Sequence, residues 1–193
     1  MIASPAEIRA GLRGAWRLMR RDAGGLGDLN LTVDGFWRSF TAILVAAPLD
    51  LIYEILPRQA GGEGPDDALG WLVAAIVYLA RWLALPVVLA LVATPLGWAA
   101  RYPTFVIAYN WTAVLQLALL VPAAALARYG LLPGVWGQGF VLGVTLGLLL
   151  FAVNVSRIAL GVGAGAAVGV VMLDLVLGLG IEGLARLADQ ALG

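Results

Sequence analysis

The chain has 193 residues, of which 62% are hydrophobic and 12% are charged, and its mean hydropathy is +0.93. A soluble domain of this length could not bury so much apolar surface, so the composition excludes a soluble globular protein and predicts an integral membrane protein. The net charge is zero and the chain has neither cysteine nor histidine, so we predict no nucleic-acid partner, no catalytic thiol or histidine triad, no metal site and no cofactor.

Residues 4–21 (SPAEIRAGLRGAWRLMRR) are predicted to form an amphipathic helix that begins at the N-cap residue Ser4. Arg9, Arg13 and Arg17 recur every four residues and therefore share one face of this helix. A basic face, an apolar face and a tryptophan suit a helix that lies on an anionic membrane surface. The alternative is a helix packed against the protein's own cytoplasmic loops. The predicted membrane-surface residues are Arg9, Arg13, Trp16, Arg17, Arg20 and Arg21.

Two glycines weaken this helix, and a polar connector follows it. Gly11 and Gly14 each lower helix stability by roughly 1 kcal/mol relative to alanine. Residues 22–35 (DAGGLGDLNLTVDG) are rich in glycine, aspartate and asparagine and are predicted to form a connector. We therefore divide the chain into residues 1–35, which hold a cytoplasmic amphipathic helix and connector, and residues 36–193, which form a transmembrane domain.

Five stretches of the transmembrane domain are long and apolar enough to cross a bilayer. A hydrocarbon core of ~30 Å takes about 20 residues at ~1.5 Å each. The predicted fold class is therefore all-α, a polytopic membrane protein in which a bundle of five transmembrane helices follows the amphipathic N-terminal helix. The spans are predicted at about 39–56, 69–94, 104–127, 135–156 and 164–185.

Arginine placement predicts the orientation of the spans, because cytoplasmic loops are enriched in basic residues. A cytoplasmic N-terminus puts eight arginines inside: Arg9, Arg13, Arg17, Arg20, Arg21, Arg38, Arg101 and Arg157. It leaves three outside: Arg58, Arg128 and Arg186. Five spans then put the C-terminus in the periplasm. We therefore predict a multi-pass protein of the bacterial inner (plasma) membrane.

Arg81 lies near the middle of the second span. A cation at that depth costs at least ~2.5 kcal/mol on insertion scales, so we expect it to have a partner. Asp50 and Glu54 are four residues apart on the first span and lean toward Arg81, so Asp50 is the first predicted partner and Glu54 the second. Asp174, midway along the fifth span, is the competing partner. The predicted intramembrane polar cluster is Arg81, Asp50, Glu54, Asp174, Asn110 and Asn154.

This polar cluster has two interpretations, which we hold as equal. An ion pair at Arg81 either fixes the register of the helices, or it marks a polar path or ligand site, as intramembrane ionisable residues often do.

Two rows of glycine recur every four residues, one on the fourth span and one at the start of the fifth. Small residues at this spacing let helix backbones approach closely in lipid. We predict that the rows pack these consecutive spans together, and the alternative is an oligomer interface. The predicted helix-packing residues are Gly139, Gly143 and Gly147 on the fourth span and Gly161, Gly165 and Gly169 on the fifth.

Three segments carry a resemblance to a known family. They are DGFWRSF before the first span, TFVIAYN at the start of the third, and RIALGVGAGAAVGVV between the fourth and fifth. With this layout, the chain resembles the Yip family (Rab/Ypt-interacting proteins) and its bacterial relatives over about residues 30–185. The acidic-tyrosine-proline segment of the eukaryotic family is absent. The resemblance implies a membrane-organising or partner-binding protein without a catalytic centre, and it does not imply Rab binding.

The sequence thus predicts a non-enzymatic scaffold, accessory subunit or assembly factor. Its expected partners are the lipid bilayer, anionic lipid head groups, and a membrane protein or a second copy of the chain. The alternative is a small transporter or channel that uses the polar cluster, although five spans without an internal repeat argue against a repeat-built transporter. A third hypothesis is a carboxylate-dependent lipid enzyme. A closed, dry core around Arg81 would favour the scaffold, and a cavity that reaches Arg81 would favour transport.

Overall fold

The computed structural model describes residues 2–55, 68–132 and 134–192, and every regular element in these ranges is helical. A short 3-10 helix, Ala23–Asp28, lies between α1 and α2. The helices are α1 (Pro5–Met19), α2 (Val33–Ser39), α3 (Thr41–Ile55), α4 (Ala68–Val92), α5 (Tyr102–Arg128), α6 (Val135–Leu160) and α7 (Ala164–Leu192).

Five segments of the described chain are long and apolar enough to cross a membrane. This confirms the predicted all-α bundle of membrane-spanning helices, although the ends of the spans differ from the prediction by a few residues. The segments are Val33–Tyr53, Ala68–Val92, Tyr102–Arg128, Val135–Leu160 and Ala164–Leu187.

Two of the boundary differences have a local cause. The first span begins at Val33 because the hydroxyl of Thr32 accepts the backbone N–H of Gly35 and caps α2. The fourth span ends at Leu160 because Gly161 adopts a left-handed conformation, with φ 68°, and its N–H bonds to the carbonyl of Arg157. Glycine takes this conformation without steric strain, which makes it a common helix terminator.

Helix α5 lies at the centre of the bundle and packs against α1, α2, α3 and α6. Helix α7 packs against α4 on one side and α6 on the other. By contrast α3 and α4, although consecutive in sequence, touch at few positions. The hydroxyl of Tyr78 on α4 donates to the carbonyl of Ile43 on α3 and bridges the two helices there. The five spans therefore surround a space that the close packing of α5 with α6 does not fill.

Helix α1 packs against α5 and α6 at the end of the bundle where α5 begins. Ser4 caps it as predicted, because its hydroxyl accepts the N–H of Glu7. The residues on its inner face, Ala15, Leu18 and Met19, are fully buried in the protein. The inner face of α1 is thus covered by the membrane-spanning bundle itself, whereas the predicted alternative was packing against cytoplasmic loops. Contact of its basic face with the membrane surface stays a prediction.

Candidate functional site

A partly open cavity of about 330 Å³ lies among the spans and is lined by α3, α4, α5, α6 and α7. Its lining residues come from the middle turns of α4, α5, α6 and α7, so the cavity lies within the depth of the membrane-spanning region. Most of its wall is apolar. Its charged and hydroxyl-bearing residues include Asp50, Tyr78, Arg81, Tyr109, Asp174 and Glu182.

The ion pair of Arg81 in this cavity differs from the predicted one. A guanidinium nitrogen of Arg81 lies 3.5 Å from a carboxylate oxygen of Glu182, and the two side chains are 43% and 39% exposed. Asp50, the predicted first partner, lines the same cavity, and its pairing with Arg81 stays a prediction. Glu182 comes close to Arg81 because α4 packs along α7. The side chain of Glu54 lies outside the described residues.

Glu182 is the cavity residue that the sequence prediction missed. It lies two helical turns beyond Asp174, with Gly178 between them, so all three share one face of α7. All three also line the cavity. This spacing was a signal in the sequence, but Glu182 lies near the predicted end of the fifth span, where a charge needs no buried partner.

Asp174 forms the second polar contact of the cavity. The hydroxyl of Tyr109 on α5 donates to Asp174 Oδ1 at 3.1 Å and links α5 to α7. Tyr109 also stacks on Phe105 one turn earlier, with ring centroids 5.7 Å apart, which holds its ring in place. Among the described residues, no three acidic side chains come close enough together to hold a metal ion.

A smaller pocket of about 20 Å³ shares Tyr109, Gln116 and Asp174 with the main cavity. It has room for one water molecule. Thr112, which is only 3% exposed, lines this pocket, and its hydroxyl has no hydrogen-bond partner among the described residues. Ser156 lies on the same wall. Because buried hydroxyls are almost always satisfied, this pocket is suited to hold water next to Asp174.

The two predicted asparagines do not line the cavity. Asn110 is fully buried, and its side-chain amide donates to the hydroxyl of Ser39 at 2.9 Å. It therefore fastens α5 to the end of α2. Asn154 is buried on α6. The structure thus brings Arg81, Asp50 and Asp174 together around one cavity and separates the asparagines from them.

The glycine rows do not pack α6 against α7 as predicted. A Cβ atom added at Gly139, Gly143, Gly147, Gly165 or Gly169 would meet no other atom within 4 Å. Helices α6 and α7 do pack together, but through other faces. Gly161 acts as the helix terminator described above. The prediction of an intrachain glycine contact is therefore wrong, because these rows face outward from the bundle.

The predicted membrane-surface residues divide into two groups. Arg13 and Arg17 bind Asp28 at 2.7 and 2.8 Å, and Arg17 also binds Asp22 at 2.7 Å. These arginines lower the pKa of both aspartates, chiefly through the hydrogen bonds they donate. The others are exposed at the surface of the N-terminal unit: Arg9, Trp16, Arg20 and Arg21. Contact of that group with lipid head groups stays a prediction.

Comparison of the chain with protein-family models, with curated proteins and with solved structures found no match. The resemblance to the Yip family accordingly stays a prediction that rests on the sequence segments quoted above.

Proposed function

We propose that the protein is a small membrane carrier or channel, and that its solute passes through the cavity between α4, α5 and α7. The observation that carries this proposal is the exposure of the Arg81–Glu182 ion pair to a cavity of about 330 Å³ within the membrane-spanning region. An ion pair that only fixed helix register would be expected in a closed, dry core. Intramembrane charges that face a cavity mark a substrate or ion path more often than a structural contact.

The small pocket beside Asp174 supports the same proposal. It extends the polar lining from the main cavity to Thr112 and Ser156, which lie toward the end of the bundle that carries α1. The hydroxyl of Thr112, which has no hydrogen-bond partner among the described residues, favours water in the pocket. Helix α1 packs on the same end of the bundle, so its docking would control access to the path from that side.

The cysteine-free sequence allows a direct test of this proposal. Thr145 lines the cavity on α6, and its hydroxyl bonds only within its own helix, to the carbonyl of Val141 at 2.9 Å. Thr145→Cys therefore adds one reporter thiol without breaking a contact between helices. In proteoliposomes we expect membrane-impermeant thiosulfonate reagents to label this thiol. Leu146→Cys, on the exposed outer face of α6, is the matched control and should not be labelled.

Solute passage is then measured by stopped-flow swelling of proteoliposomes in iso-osmotic glycerol, glycine or choline chloride. We expect at least one of these solutes to enter faster than it enters protein-free vesicles, and Arg81→Met to alter that rate. The proposal fails if Thr145→Cys resists labelling from both sides of the membrane.

A second candidate function is the non-enzymatic scaffold, accessory subunit or assembly factor. We propose it because the glycine row of Gly139, Gly143 and Gly147 faces outward, where another membrane helix could approach closely. The Yip resemblance fits this candidate. For both candidates we propose a bacterial inner-membrane location with a cytoplasmic N-terminus and a periplasmic C-terminus.

A pull-down from mild detergent, with mass determination of the complex, tests the scaffold. A stoichiometric partner or a second copy that is lost in Gly143→Leu would support it, because the leucine blocks the close approach of another helix. A monomeric wild-type protein without a partner would contradict it.

A further inference from the structure

The cavity lining holds more acidic than basic side chains. Arg81 is engaged by Glu182 at 3.5 Å. The contact of Asp174 is the neutral hydroxyl of Tyr109 at 3.1 Å, and no arginine within the described residues forms an ion pair with it. The lining thus holds three carboxyl groups, Asp50, Asp174 and Glu182, against the one arginine Arg81, which leaves an excess of negative charge. A low-dielectric wall strengthens the field of that charge, so the cavity attracts cations.

Aromatic rings supply the second observation. Tyr78, Trp82 and Tyr109 all line the cavity. The rings of Tyr78 and Trp82 meet edge to face, with centroids 6.2 Å apart at an angle of 70°. The faces of such rings attract organic ammonium groups, especially where water is scarce. A cavity that joins a carboxylate to aromatic rings therefore fits a cation with an apolar coat better than a bare, strongly hydrated ion.

An anion or a neutral solute fits the same cavity lining less well. An anion would have to displace Glu182 from Arg81 and would then lie near Asp174, which repels it. A neutral polyol would gain hydrogen bonds from Gln116 and Tyr109 but nothing from the excess charge. The cavity is also large enough for a molecule of several heavy atoms rather than a single ion.

From this lining we infer that the solute is a small organic cation, an amine or quaternary ammonium compound. Its charged group would lie at Asp174 and its apolar groups against Tyr78 and Trp82. This inference rests on the proposed transport function, because it assumes that the cavity is open to solutes.

Two reagents of similar size and opposite charge test the inference at the Thr145→Cys thiol. One is trimethylammonioethyl methanethiosulfonate and the other is sulfonatoethyl methanethiosulfonate. Each rate is divided by the rate of the same reagent with free 2-mercaptoethanol, because a thiolate intrinsically prefers the cationic reagent. We expect the cationic reagent to label the protein thiol about tenfold faster than the anionic one after this normalisation, since a charged cleft concentrates counter-ions by about that factor or more. The ratio of the two normalised rates also cancels any change in the reactivity of the protein thiol itself.

Changes at Asp174 show whether this carboxylate is the source of the selectivity. Asp174→Asn should reduce the normalised ratio of the two rates several-fold, and Asp174→Glu should restore the preference for the cation. Choline should slow the labelling of Thr145→Cys in a saturable way, and dimethylbutanol, its uncharged carbon isostere, should not. These rates are measured in protein that is already reconstituted, so a variant that fails to fold is recognised by its absence from the vesicles.

The outcomes separate the two proposals. If neither reagent reacts, the cavity is closed and the transport proposal fails together with the inference. If both reagents react and the normalised ratio of cationic to anionic rate is one or less, the cavity is open but the solute is not a cation, so only the inference is overturned. A preference for the cation that Asp174→Asn leaves unchanged also overturns it, because the selectivity would then come from another part of the chain.

Discussion

At the scale of single residues, glycines carry out opposite roles in α1 and in the spans. A Cβ atom at Gly11 would lie 2.6 Å from the ring of Trp111, and one at Gly14 would lie 2.7 Å from the carbonyl oxygen of Gly25. These glycines weaken α1 as an isolated helix but let it dock closely. The outward row around Gly143 has no such contact within the described chain.

Gly11→Ala should therefore destabilise the protein, and Gly139→Ala should not. The added methyl group at Gly11 must displace a buried indole ring, which costs about 1–3 kcal/mol in a well-packed core. At Gly139 the methyl group meets open space, so the variant should be no less stable than the wild-type protein and should gain up to about 1 kcal/mol from the higher helix propensity of alanine. The measurement is the midpoint of thermal unfolding in one detergent. Equal midpoints for the two variants would contradict the docking of α1 against α5.

The ion pair in the cavity gives a second prediction at this scale. Arg81→Met and Glu182→Leu should each destabilise the protein, because each leaves an unpaired charge within the membrane region, and the double variant should lose less than the sum. Thermal unfolding in detergent supplies all the values. Additive losses in the double variant would contradict the observed pair.

At the scale of elements, α1 and the following 3-10 helix form one electrostatic unit. Asp28 accepts hydrogen bonds from Arg13 and Arg17, and Asp22 accepts one from Arg17 and one from the N–H of Gly24. These bonds lower the pKa of both aspartates. A carboxylate with a lowered pKa in the folded protein stabilises the fold above its unfolded pKa and loses that contribution as pH falls through the folded value.

The stability of this unit should accordingly depend on pH in a defined direction. At neutral pH, the double variant Asp22→Asn with Asp28→Asn should melt at a lower temperature than the wild-type protein. The gap should close as pH falls from about 7 to below the ordinary aspartate pKa of ~3.9, because the wild-type carboxylates then become protonated. Thermal unfolding of both proteins across this range checks it. A gap that stays constant with pH would show that these charges do not hold α1 to the 3-10 helix.

Helices and caps could be predicted from the sequence where the residues of a single segment determine them. Each span is an apolar stretch long enough to cross a bilayer, and Ser4 caps α1 through a local contact. Pairings between segments could not be predicted in this way. Spans joined by a short loop were expected to be neighbours, which led to Asp50 as the partner of Arg81. In the fold α4 packs along α7, and Glu182 of α7, which was not predicted, forms an ion pair with Arg81.

At the scale of the whole molecule, the difference between features set by one segment and pairings between segments also explains what could be predicted of the site. A charge in the middle of an apolar span indicates that something polar surrounds it, and Arg81 does line the cavity. Whether its surroundings are dry or open depends on how five helices fill space together. That property belongs to the bundle, because the cavity is lined by α3, α4, α5, α6 and α7 together.

The order of the helices also determines at which end of the bundle the arginines lie. The α6–α7 junction at Gly161 lies beside Arg101 of the α4–α5 connection, and α1 packs on the same end of the bundle. Most of the arginines outside the spans therefore gather at one end, as expected for the cytoplasmic side. Five crossings would then put the C-terminal end of α7 on the other side.

Two single cysteines in the cysteine-free chain test this topology. Arg20 on the N-terminal unit and Arg186 on α7 are both exposed. We expect a membrane-impermeant maleimide to label Arg186→Cys in intact cells, and to label Arg20→Cys only after the membrane is permeabilised. Arginines are retained on the cytoplasmic side during insertion, which gives this direction rather than its reverse. The opposite pattern would invert the orientation but keep five crossings, whereas labelling of both sites in intact cells would mean that the chain crosses the membrane an even number of times.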